Sequence, residues 1–187
     1  MISRISQWFS ETDKRVTTLM SRHGIALLRV SIGLVFLWFG VLKFFPDLSP
    51  AQDLAARTID TLTFGAIGPA VSIPVLAAWE VLIGLGLMTG RFLRLTLLLL
   101  FAQMLGTVTP LFLFPGETFT HFPYAPTLEG QYIIKNIVLV SAAVVIGATV
   151  RGGAVIADPD ATRTARQIQN DHINVRSGAH RTDSESA

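Results

Sequence analysis

Apolar stretches long enough to cross a membrane alternate with short polar stretches along this chain. Four of them cover about residues 24–45, 71–89, 92–114 and 131–150. Roughly 20 apolar residues in a helix, at about 1.5 Å each, cross a hydrocarbon core of about 30 Å. The pattern therefore predicts an all-α fold, an integral membrane four-helix bundle formed by residues 24–150 as one domain.

The connection after the first span predicts a short helix of about residues 50–62. Ser49-Pro50 has the pattern of an N-cap followed by proline at the first helical position. The apolar positions of this segment are Leu54, Ile59 and Leu62, and its polar positions are Asp53, Arg57 and Asp60. We expect this amphipathic helix to lie in the outer interface of the membrane.

The connection between the third and fourth spans, residues 115–130, is unusual in composition. It contains Pro115, Pro123 and Pro126, the aromatic residues Phe119, Phe122 and Tyr124, and His121, but no lysine or arginine. Because proline restricts the backbone, we expect an ordered cap over the outer end of the bundle. An aromatic belt at the membrane interface explains much of the same composition.

Charge supports a membrane protein and indicates its orientation. Only 15% of the residues are charged and the mean hydropathy is +0.51, whereas about 25% of the residues of a soluble domain are charged. Most lysines and arginines lie in the leader of residues 1–23, in the second connection and in the tail of residues 151–187, and the other two connections contain only Arg57. The positive-inside rule then predicts that both termini are cytoplasmic. We expect the tail to be polar and largely disordered, with one short helix starting at Asp158-Pro159 and disorder beyond about residue 170.

The composition also excludes several kinds of site. The chain contains no cysteine, which excludes disulfides, thiol catalysis, thiolate metal sites and iron–sulfur clusters. All four histidines lie outside the spans, so none is available to bind haem in the membrane, and we expect no metal site. The cations are not clustered as a nucleic-acid-binding patch requires, so we expect no nucleic-acid partner.

Glu80 is the most informative residue, because it lies in the middle of an apolar span. A carboxylate near the bilayer centre costs roughly 2.5–3.5 kcal/mol, so it is normally turned inward and either protonated or paired. Ala77 and Gly84 share its helix face, and small residues there indicate packing against protein. Two interpretations stay open: a structural glutamate bonded to a neighbouring helix, and a catalytic, proton-exchanging carboxylate in a polar cavity.

Five other polar residues in the spans are candidates for binding a cofactor or ligand: Arg29, Lys43, Gln103, Lys135 and Asn136. Arg29 and Lys43 share one face of the first span with Gly33 and Gly40, and these glycines let a second helix approach closely. Each cation can instead extend to a headgroup layer. Gln103 can equally be a hydrogen-bonding link between helices.

Chain direction places these residues at two depths. Spans one and three run outward and spans two and four run inward, so Lys43, Lys135 and Asn136 fall in the outer half. Glu80 and Gln103 lie near the middle. Together they outline a cavity open toward the outside, with Glu80 at its floor and the lysines at its mouth. Whether Glu80 pairs with Lys43, with Lys135 or with neither depends on the order of the helices, which the sequence does not determine.

Short motifs occur along the chain in a distinctive order. They read LRVSIG at residues 28–33, FLWFGVLKF at residues 36–44, WEVLIGLG at residues 79–86 and EGQYIIKN at residues 129–136, with Thr109-Pro110 before the last. In this order the motifs resemble those of DoxX-like integral membrane proteins, including the YkgB/RclC branch. The resemblance covers about residues 24–150.

The resemblance implies a four-helix membrane bundle connected with oxidative or redox stress. The family name derives from a subunit of an archaeal thiosulfate:quinone oxidoreductase, and the YkgB/RclC branch is associated with resistance to reactive chlorine. The motif positions that carry over are Arg29, Lys43, Glu80, Lys135 and Asn136. Because this chain has no cysteine, a thiol relay does not fit it.

Three functions follow as hypotheses. The first is a subunit, or a component that binds a quinone or a small anion, of a redox or oxidative-stress system in the bacterial plasma (inner) membrane. It requires a bound quinone or a partner oxidoreductase subunit, because the chain holds no redox centre of its own, and a homo-oligomer is also expected. The alternatives are a small-solute transporter with Glu80 as the proton-coupled site, and a non-catalytic membrane scaffold. The sequence does not decide whether the chain is an enzyme.

Overall fold

The computed structural model describes the backbone of residues 2–45, 48–49 and 52–170, and the side chains of these residues from residue 11 onward. The chain divides into two compact units, Ile25–Gly153 and a second unit made of Met1–Gly24 and Ala154–Ala187. The first unit contains every candidate site residue, and we call it the membrane unit.

The described residues form helices joined by short connections and one small hairpin. The elements are α1 (Ile2–Leu42), α2 (Gln52–Leu62), α3 (Pro69–Thr89), α4 (Leu93–Val108), α5 (Pro110–Leu113), α6 (Pro115–Thr118), β1 (Phe119–His121), β2 (Ala125–Pro126) and α7 (Leu128–Thr149). Strands β1 and β2 pair antiparallel, with Phe119 opposite Pro126 and His121 opposite Ala125. A further helix, α8, comprises residues 159–170.

Four helical stretches are long and apolar enough to cross a membrane. They are α1 from Glu11 onward, α3, α4 continued by α5, and α7. Large apolar side chains cover their outer surface: Leu27, Leu82, Leu105 and Ile137 are each at least 60% exposed. Such a surface is stable in hydrocarbon, and so extensive an apolar surface is rare on proteins in water. The chain is therefore a multi-pass membrane protein, and the predicted all-α four-helix bundle is confirmed.

Helix α1 is longer than the predicted first span, residues 24–45. It begins at Ile2, so residues 2–23, expected as a polar leader, are helical as well. The reason is local, because residues 2–23 contain neither glycine nor proline and nothing in them breaks a helix. The cytoplasmic location of this segment stays a prediction.

Glycines bring α1 and α3 into contact along their backbones. A Cβ added at Gly84 would lie 2.6 Å from the Leu37 nitrogen and 2.8 Å from the Gly33 oxygen. A Cβ added at Gly40 would lie 2.9 Å from the Val81 nitrogen. No larger residue fits these positions unless the helices separate. The predicted close approach of a second helix to Gly33 and Gly40 is confirmed, and that helix is α3.

The core of the membrane unit takes side chains from all four spanning helices. It contains Ile32 and Phe36 from α1, Ile83 and Leu87 from α3, Leu97, Leu100 and Met104 from α4, and Ala143 and Ile146 from α7. Each of these residues is at most 9% exposed. This shared core holds in place the helices that carry the candidate site residues.

The connections that follow α1 and α5 lie at the same end of the bundle, which we call the cap end; it comprises α2, α5, α6 and the hairpin. Thr127 joins two of its segments, because its hydroxyl donates to the Glu117 carbonyl oxygen at 2.7 Å and accepts from the Gly130 amide at 3.2 Å. The second bond caps the first turn of α7. Thr118 is fully buried, and its carbonyl oxygen leaves no room for a Cβ at Gly130. The predicted ordered cap is present.

Helix α2 covers part of the bundle. Its described part begins at Gln52, and Pro50, where the sequence predicts the first helical position, lies outside the described residues. It packs against α3 and α5 and buries Leu54 and Thr58. Of the apolar positions expected from the sequence, Leu54 is buried, Ile59 is half-buried and Leu62 is exposed, so this face is turned toward the protein in part. A position of α2 in the outer interface stays a prediction.

The second unit contains helix α8. It begins after Asp158, whose Oδ1 accepts from the Asp160 amide at 2.8 Å, a bond that caps the helix. Residues 159–170 are thus helical, as expected of a short helix that starts at Asp158-Pro159. The rest of that expectation concerns residues 171–187, which lie outside the described residues.

The glycine contact predicts a difference between two alanine substitutions. Gly84→Ala should destabilise the protein by roughly 1–3 kcal/mol, because its Cβ meets the backbone of α1, which cannot give way as a side chain can. Gly106→Ala should be neutral or stabilising, because a Cβ there meets nothing within 4 Å and alanine favours helix. Thermal unfolding in detergent micelles measures both, and equal midpoints for the two variants would contradict the contact.

Candidate functional site

Glu80 forms a buried ion pair with Lys43. The Glu80 residue is 8% exposed, and its Oε2 accepts from Lys43 Nζ at 2.7 Å. The side chains of the two residues are 10% and 9% exposed respectively. The structure thus resolves the choice left open by the sequence: the partner of Glu80 is Lys43, and Lys135 is not.

The packing of α1 on α3 brings the two charges together. Gly40 lies against Glu80 so closely that a Cβ at Gly40 would be 2.9 Å from the Glu80 Cβ. Lys43 follows in the turn that ends α1, where its amide donates to the Gly40 carbonyl at 3.2 Å. From that turn the flexible lysine side chain reaches the carboxylate on α3. The glycine at position 40 therefore positions the ion pair as well as the helices.

Gln103 supplies the second contact of the carboxylate. Its Nε2 donates to Glu80 Oε1 at 2.7 Å, so each oxygen of Glu80 accepts one hydrogen bond. A carboxylate only accepts, which orients the Gln103 amide with its nitrogen toward Glu80. The Gln103 Oε1 that remains is buried and has no hydrogen-bond partner among the described residues. An unpaired buried acceptor costs free energy unless a ligand or water donates to it.

A cavity of about 320 Å³ borders this cluster, and we call it the main cavity. Lys43, Glu80 and Gln103 contribute its charged and amide groups. The remaining walls are mostly apolar and come from α2 (Leu54, Ile59 and Leu62), α3 (Leu76 and Trp79) and α7 (Ile133), with Gly106 and Thr107 on α4. The Trp79 Nε1 donates to the Leu99 carbonyl at 3.1 Å, which ties α3 to α4 beside the cavity. The site is thus a polar cluster at one side of an apolar pocket.

Helix α2, which forms one wall of the main cavity, is fastened by an ion pair. The Arg57 guanidinium donates two hydrogen bonds to the Glu117 carboxylate, at 2.7 and 2.5 Å, and lies 5.4 Å from the centre of the Phe114 ring. The hydrogen bond from Arg57 lowers the pKa of Glu117, and the same bond raises the pKa of Arg57. Both side chains are about half exposed, so solvent screens the pair. The pair connects the two segments of the cap end.

A second cavity, of about 150 Å³, shares Glu80, Gln103 and Thr107 with the main cavity, and we call it the small cavity. Its other lining residues are Val35, Phe36 and Phe39 on α1, Met104 on α4, and Asn136 and Leu139 on α7. Glu80 and Gln103 therefore border two separate spaces. Asn136, a residue singled out by the sequence, belongs to the small cavity.

Two of the candidate residues lie away from the cluster. Lys135 is exposed, and its ammonium lies 5.7 Å from the centre of the Tyr132 ring, so it lines neither the main nor the small cavity. The expectation of two lysines at the mouth of one cavity is wrong for Lys135. Lys43 reaches the main cavity because α1 packs against α3, whereas Lys135 is exposed on α7. A role of Lys135 in binding has no geometric support.

Arg29 lies near the end of α3 that is remote from Lys43. A Cβ at Gly90, the C-cap of α3, would lie 2.7 Å from Arg29 Nη1, so the guanidinium packs directly against this glycine. A cation at a helix C-terminus stabilises the carbonyl groups that end there. Arg29 Nε is buried without a partner in the part of the chain that the structure describes. The geometry gives Arg29 a place in helix packing and none in either cavity.

The sequence interpretation missed the Arg57–Glu117 pair. A signal was present, since Arg57 is the only cation in the two outer connections and Glu117 lies in the other of them. No rule of spacing connects residues so far apart, and only the fold brings them together. No cluster of three or more His, Asp or Glu side chains suited to a metal occurs within the described ranges.

Comparison with known proteins identifies a family. The family model described as DoxX matches residues 24–116. The match includes Arg29, Lys43, Glu80 and Gln103 and ends before α7. No curated protein and no solved structure gives a significant match. The YkgB/RclC branch stays a prediction.

The buried ion pair predicts a strong coupling between its two members. Lys43→Met and Glu80→Gln should each destabilise the protein by roughly 3–5 kcal/mol, because each leaves the other charge buried without its partner. The double variant should cost clearly less than the two single variants together, since it leaves no buried charge. Lys135→Met, which removes an exposed cation from α7, should have little effect. Unfolding in lipid nanodiscs measures all four, and strictly additive losses would contradict the pair.

The ion pair at the cap end predicts a pH dependence. Because the pKa of Glu117 is lowered in the folded protein, the pair is present above the ordinary carboxyl pKa and is lost as the pH falls through the lowered value. At neutral pH, Glu117→Gln should speed amide hydrogen exchange in α2 by roughly two- to fivefold. This difference from wild type should vanish once acid protonates Glu117. Glu129→Gln, an exposed control on α7, should match wild type at every pH, and a pH-independent difference would contradict the assignment.

Proposed function

We propose, from the premise that the chain is a DoxX-like multi-pass membrane protein, that it binds a quinone in the main cavity as a component of a redox or oxidative-stress system. The single observation that carries this proposal is a polar cluster of balanced charge at the edge of an apolar pocket. In this proposal Glu80 exchanges a proton with the bound molecule.

The balance of charge favours a neutral ligand over a small anion. The positive charge of Lys43 is already compensated by Glu80 at 2.7 Å. An anion entering the cavity would meet the carboxylate as well as the ammonium, and burying an unpaired charge is costly. The small anion considered from the sequence is therefore the weaker candidate.

The hydrogen-bonding groups fit a quinone or quinol head. An ammonium has three donors, and Lys43 directs one to Glu80, which leaves others for a carbonyl oxygen. The free Oε1 of Gln103 can accept from the hydroxyl of a quinol. A volume of about 320 Å³ with mostly apolar walls suits a small ring with a hydrocarbon substituent.

The chemistry requires a partner. Reduction of a quinone to a quinol consumes electrons and protons, and this chain supplies no electrons, since it has neither cysteine nor a haem-binding histidine in its spans. A partner oxidoreductase subunit would supply the electrons, and Glu80 would pass protons to or from the bound ring. The location proposed is the bacterial plasma membrane, and the lysine and arginine distribution supports an orientation with both termini in the cytoplasm.

A small-solute transporter is the second candidate function, and one observation favours it. Glu80 and Gln103 border both cavities, as expected of a site that opens alternately in two directions. This function requires net solute movement into proteoliposomes that depends on Glu80. Flux that is equal for wild type and Glu80→Gln would rule it out, while quinone binding without flux supports the first function.

Quinone binding can be tested through Trp79, which lines the main cavity. In a background where Trp79 is the only tryptophan, a short-chain ubiquinone should quench its fluorescence saturably. Gly106→Leu should abolish the saturable part, because position 106 opens into free space at the cavity wall and a leucine there fills it. Leu105→Phe, a lipid-facing control on the same helix, should bind as wild type does. Equal, non-saturating quenching in all three proteins would mean that the quinone only partitions into lipid.

A further inference from the structure

We propose that the small cavity is a water-filled route by which protons reach Glu80, separate from the main cavity that holds the ligand. The inference rests on the proposed function in one respect, namely that Glu80 exchanges protons. It concerns a different space, however, and can be tested without any ligand.

The small cavity has the size and the polar lining that buried water requires. At about 30 Å³ for each molecule, its 150 Å³ has room for about five waters. Glu80, Gln103, Thr107 and Asn136 all border it, and a buried water needs two to four polar partners. The other five lining residues, Val35, Phe36, Phe39, Met104 and Leu139, are apolar, so we place the water at the polar side of the cavity.

Asn136 is the strongest indication of water. No described residue forms a hydrogen bond with its side chain, although it is half-buried in a spanning helix. An amide that faces a cavity in the membrane without a protein partner is costly unless water bonds to it. The Thr107 hydroxyl donates to the Gln103 carbonyl at 3.0 Å, and its oxygen can still accept from a water. We therefore assign Asn136 the role of a positioning residue that orders water next to Glu80.

Glu80 can accept a proton from this side while its present bonds remain. Each carboxylate oxygen has two lone pairs, and the bonds from Lys43 and Gln103 use one on each. A proton supplied by bulk solvent through the waters forms an O–H bond at a free lone pair. The carboxylate becomes a neutral acid, and its attraction to Lys43 falls. Lys43 is the charged side chain that contacts Glu80.

A ligand bound in the main cavity makes a second route for protons to Glu80 necessary. A ligand in the main cavity displaces water from the apolar walls formed by Leu54, Ile59 and Trp79, so it closes that side of Glu80 to protons from solvent. The small cavity borders the same carboxylate, and its walls include Val35, Phe36 and Phe39 of α1 and no residue of α2. Proton exchange can therefore continue while the ligand is bound.

The natural absence of cysteine allows a direct test of water access. Single variants Asn136→Cys, Ile137→Cys and Gly106→Cys in proteoliposomes are exposed to Ag⁺, and the thiols that remain free are then labelled after denaturation. Asn136→Cys should react, because thiolates form in water. Ile137→Cys, on the lipid-facing side of α7, should stay unreacted. If Asn136→Cys is as inert as Ile137→Cys, the small cavity is not hydrated and the proposal is overturned.

The same variants separate this inference from the proposed function. A short-chain ubiquinone should protect Gly106→Cys in the main cavity and leave Asn136→Cys reactive. Failure to protect Gly106→Cys counts against quinone binding and leaves the water route standing. Protection of both positions would show that the two cavities are not separate, which overturns the inference.

The rate at which Glu80 becomes protonated tests the transfer of the proton itself. After a pH jump, the infrared signal of the Glu80 carboxylate, identified by subtracting the spectrum of Glu80→Gln, reports its protonation. Asn136→Leu should slow this step by roughly tenfold or more, because it removes a hydrogen-bonding partner of the water and fills the cavity. Its affinity for the ubiquinone probe should not change, and Val138→Leu, a lipid-facing control, should protonate at the wild-type rate. An unchanged rate in Asn136→Leu would overturn the route.

Discussion

The arrangement of the membrane unit depends on placing one carboxylate inside a bundle that faces lipid. A lone charge at the depth of Glu80 is too costly to leave without a partner, so it must be enclosed and paired. Lys43 compensates its charge and Gln103 satisfies its second oxygen, both at 2.7 Å. The glycines of α1 and α3 make this possible, because only a backbone contact brings the lysine within reach. The close contact between α1 and α3 thus also forms the ion pair of the site.

Once the charge is balanced, the character of the site follows. A compensated pair next to the apolar walls of α2 and α3 receives a neutral molecule with a polar head better than it receives an ion. The Gln103 Oε1 is buried without a partner, and the amide of Asn136 has no hydrogen-bond partner among the described residues. Gln103 borders both cavities, whereas Asn136 borders the small cavity and not the main one. On this basis we assign ligand binding to the main cavity and proton exchange to the small cavity.

Much of the fold was predictable, because a span of apolar residues has few alternatives to a membrane helix. Counting residues along helices of opposite direction places Glu80 and Gln103 at the same depth, and the two side chains are bonded. The glycine face of α1 predicts a contact surface, and α3 packs against it. The choice between Lys43 and Lys135 was not predictable, because it depends on which helix packs against α3, and residue spacing within a helix carries no information about neighbours.

The apolar face of α2 shows a second limit. Leu54, Ile59 and Leu62 have the spacing of a helix that lies on a membrane, and the same spacing suits a helix that closes a cavity. An amphipathic pattern predicts an apolar face that avoids water, but it does not predict whether lipid or protein covers that face. The ion pair of Arg57 with Glu117 holds α2 to the other segment of the cap end, and it joins residues 60 positions apart. Contacts of this range come from the fold and cannot be read from local sequence.

The most direct test of the central claim, that the main cavity holds a neutral quinone beside the Lys43–Glu80 pair, is native mass spectrometry of the protein released from its own membrane. We predict that wild type carries a neutral isoprenoid quinone and that Gly106→Leu, which fills the cavity, does not. A wild-type protein without such a molecule, or equal amounts in wild type and Gly106→Leu, would contradict the account.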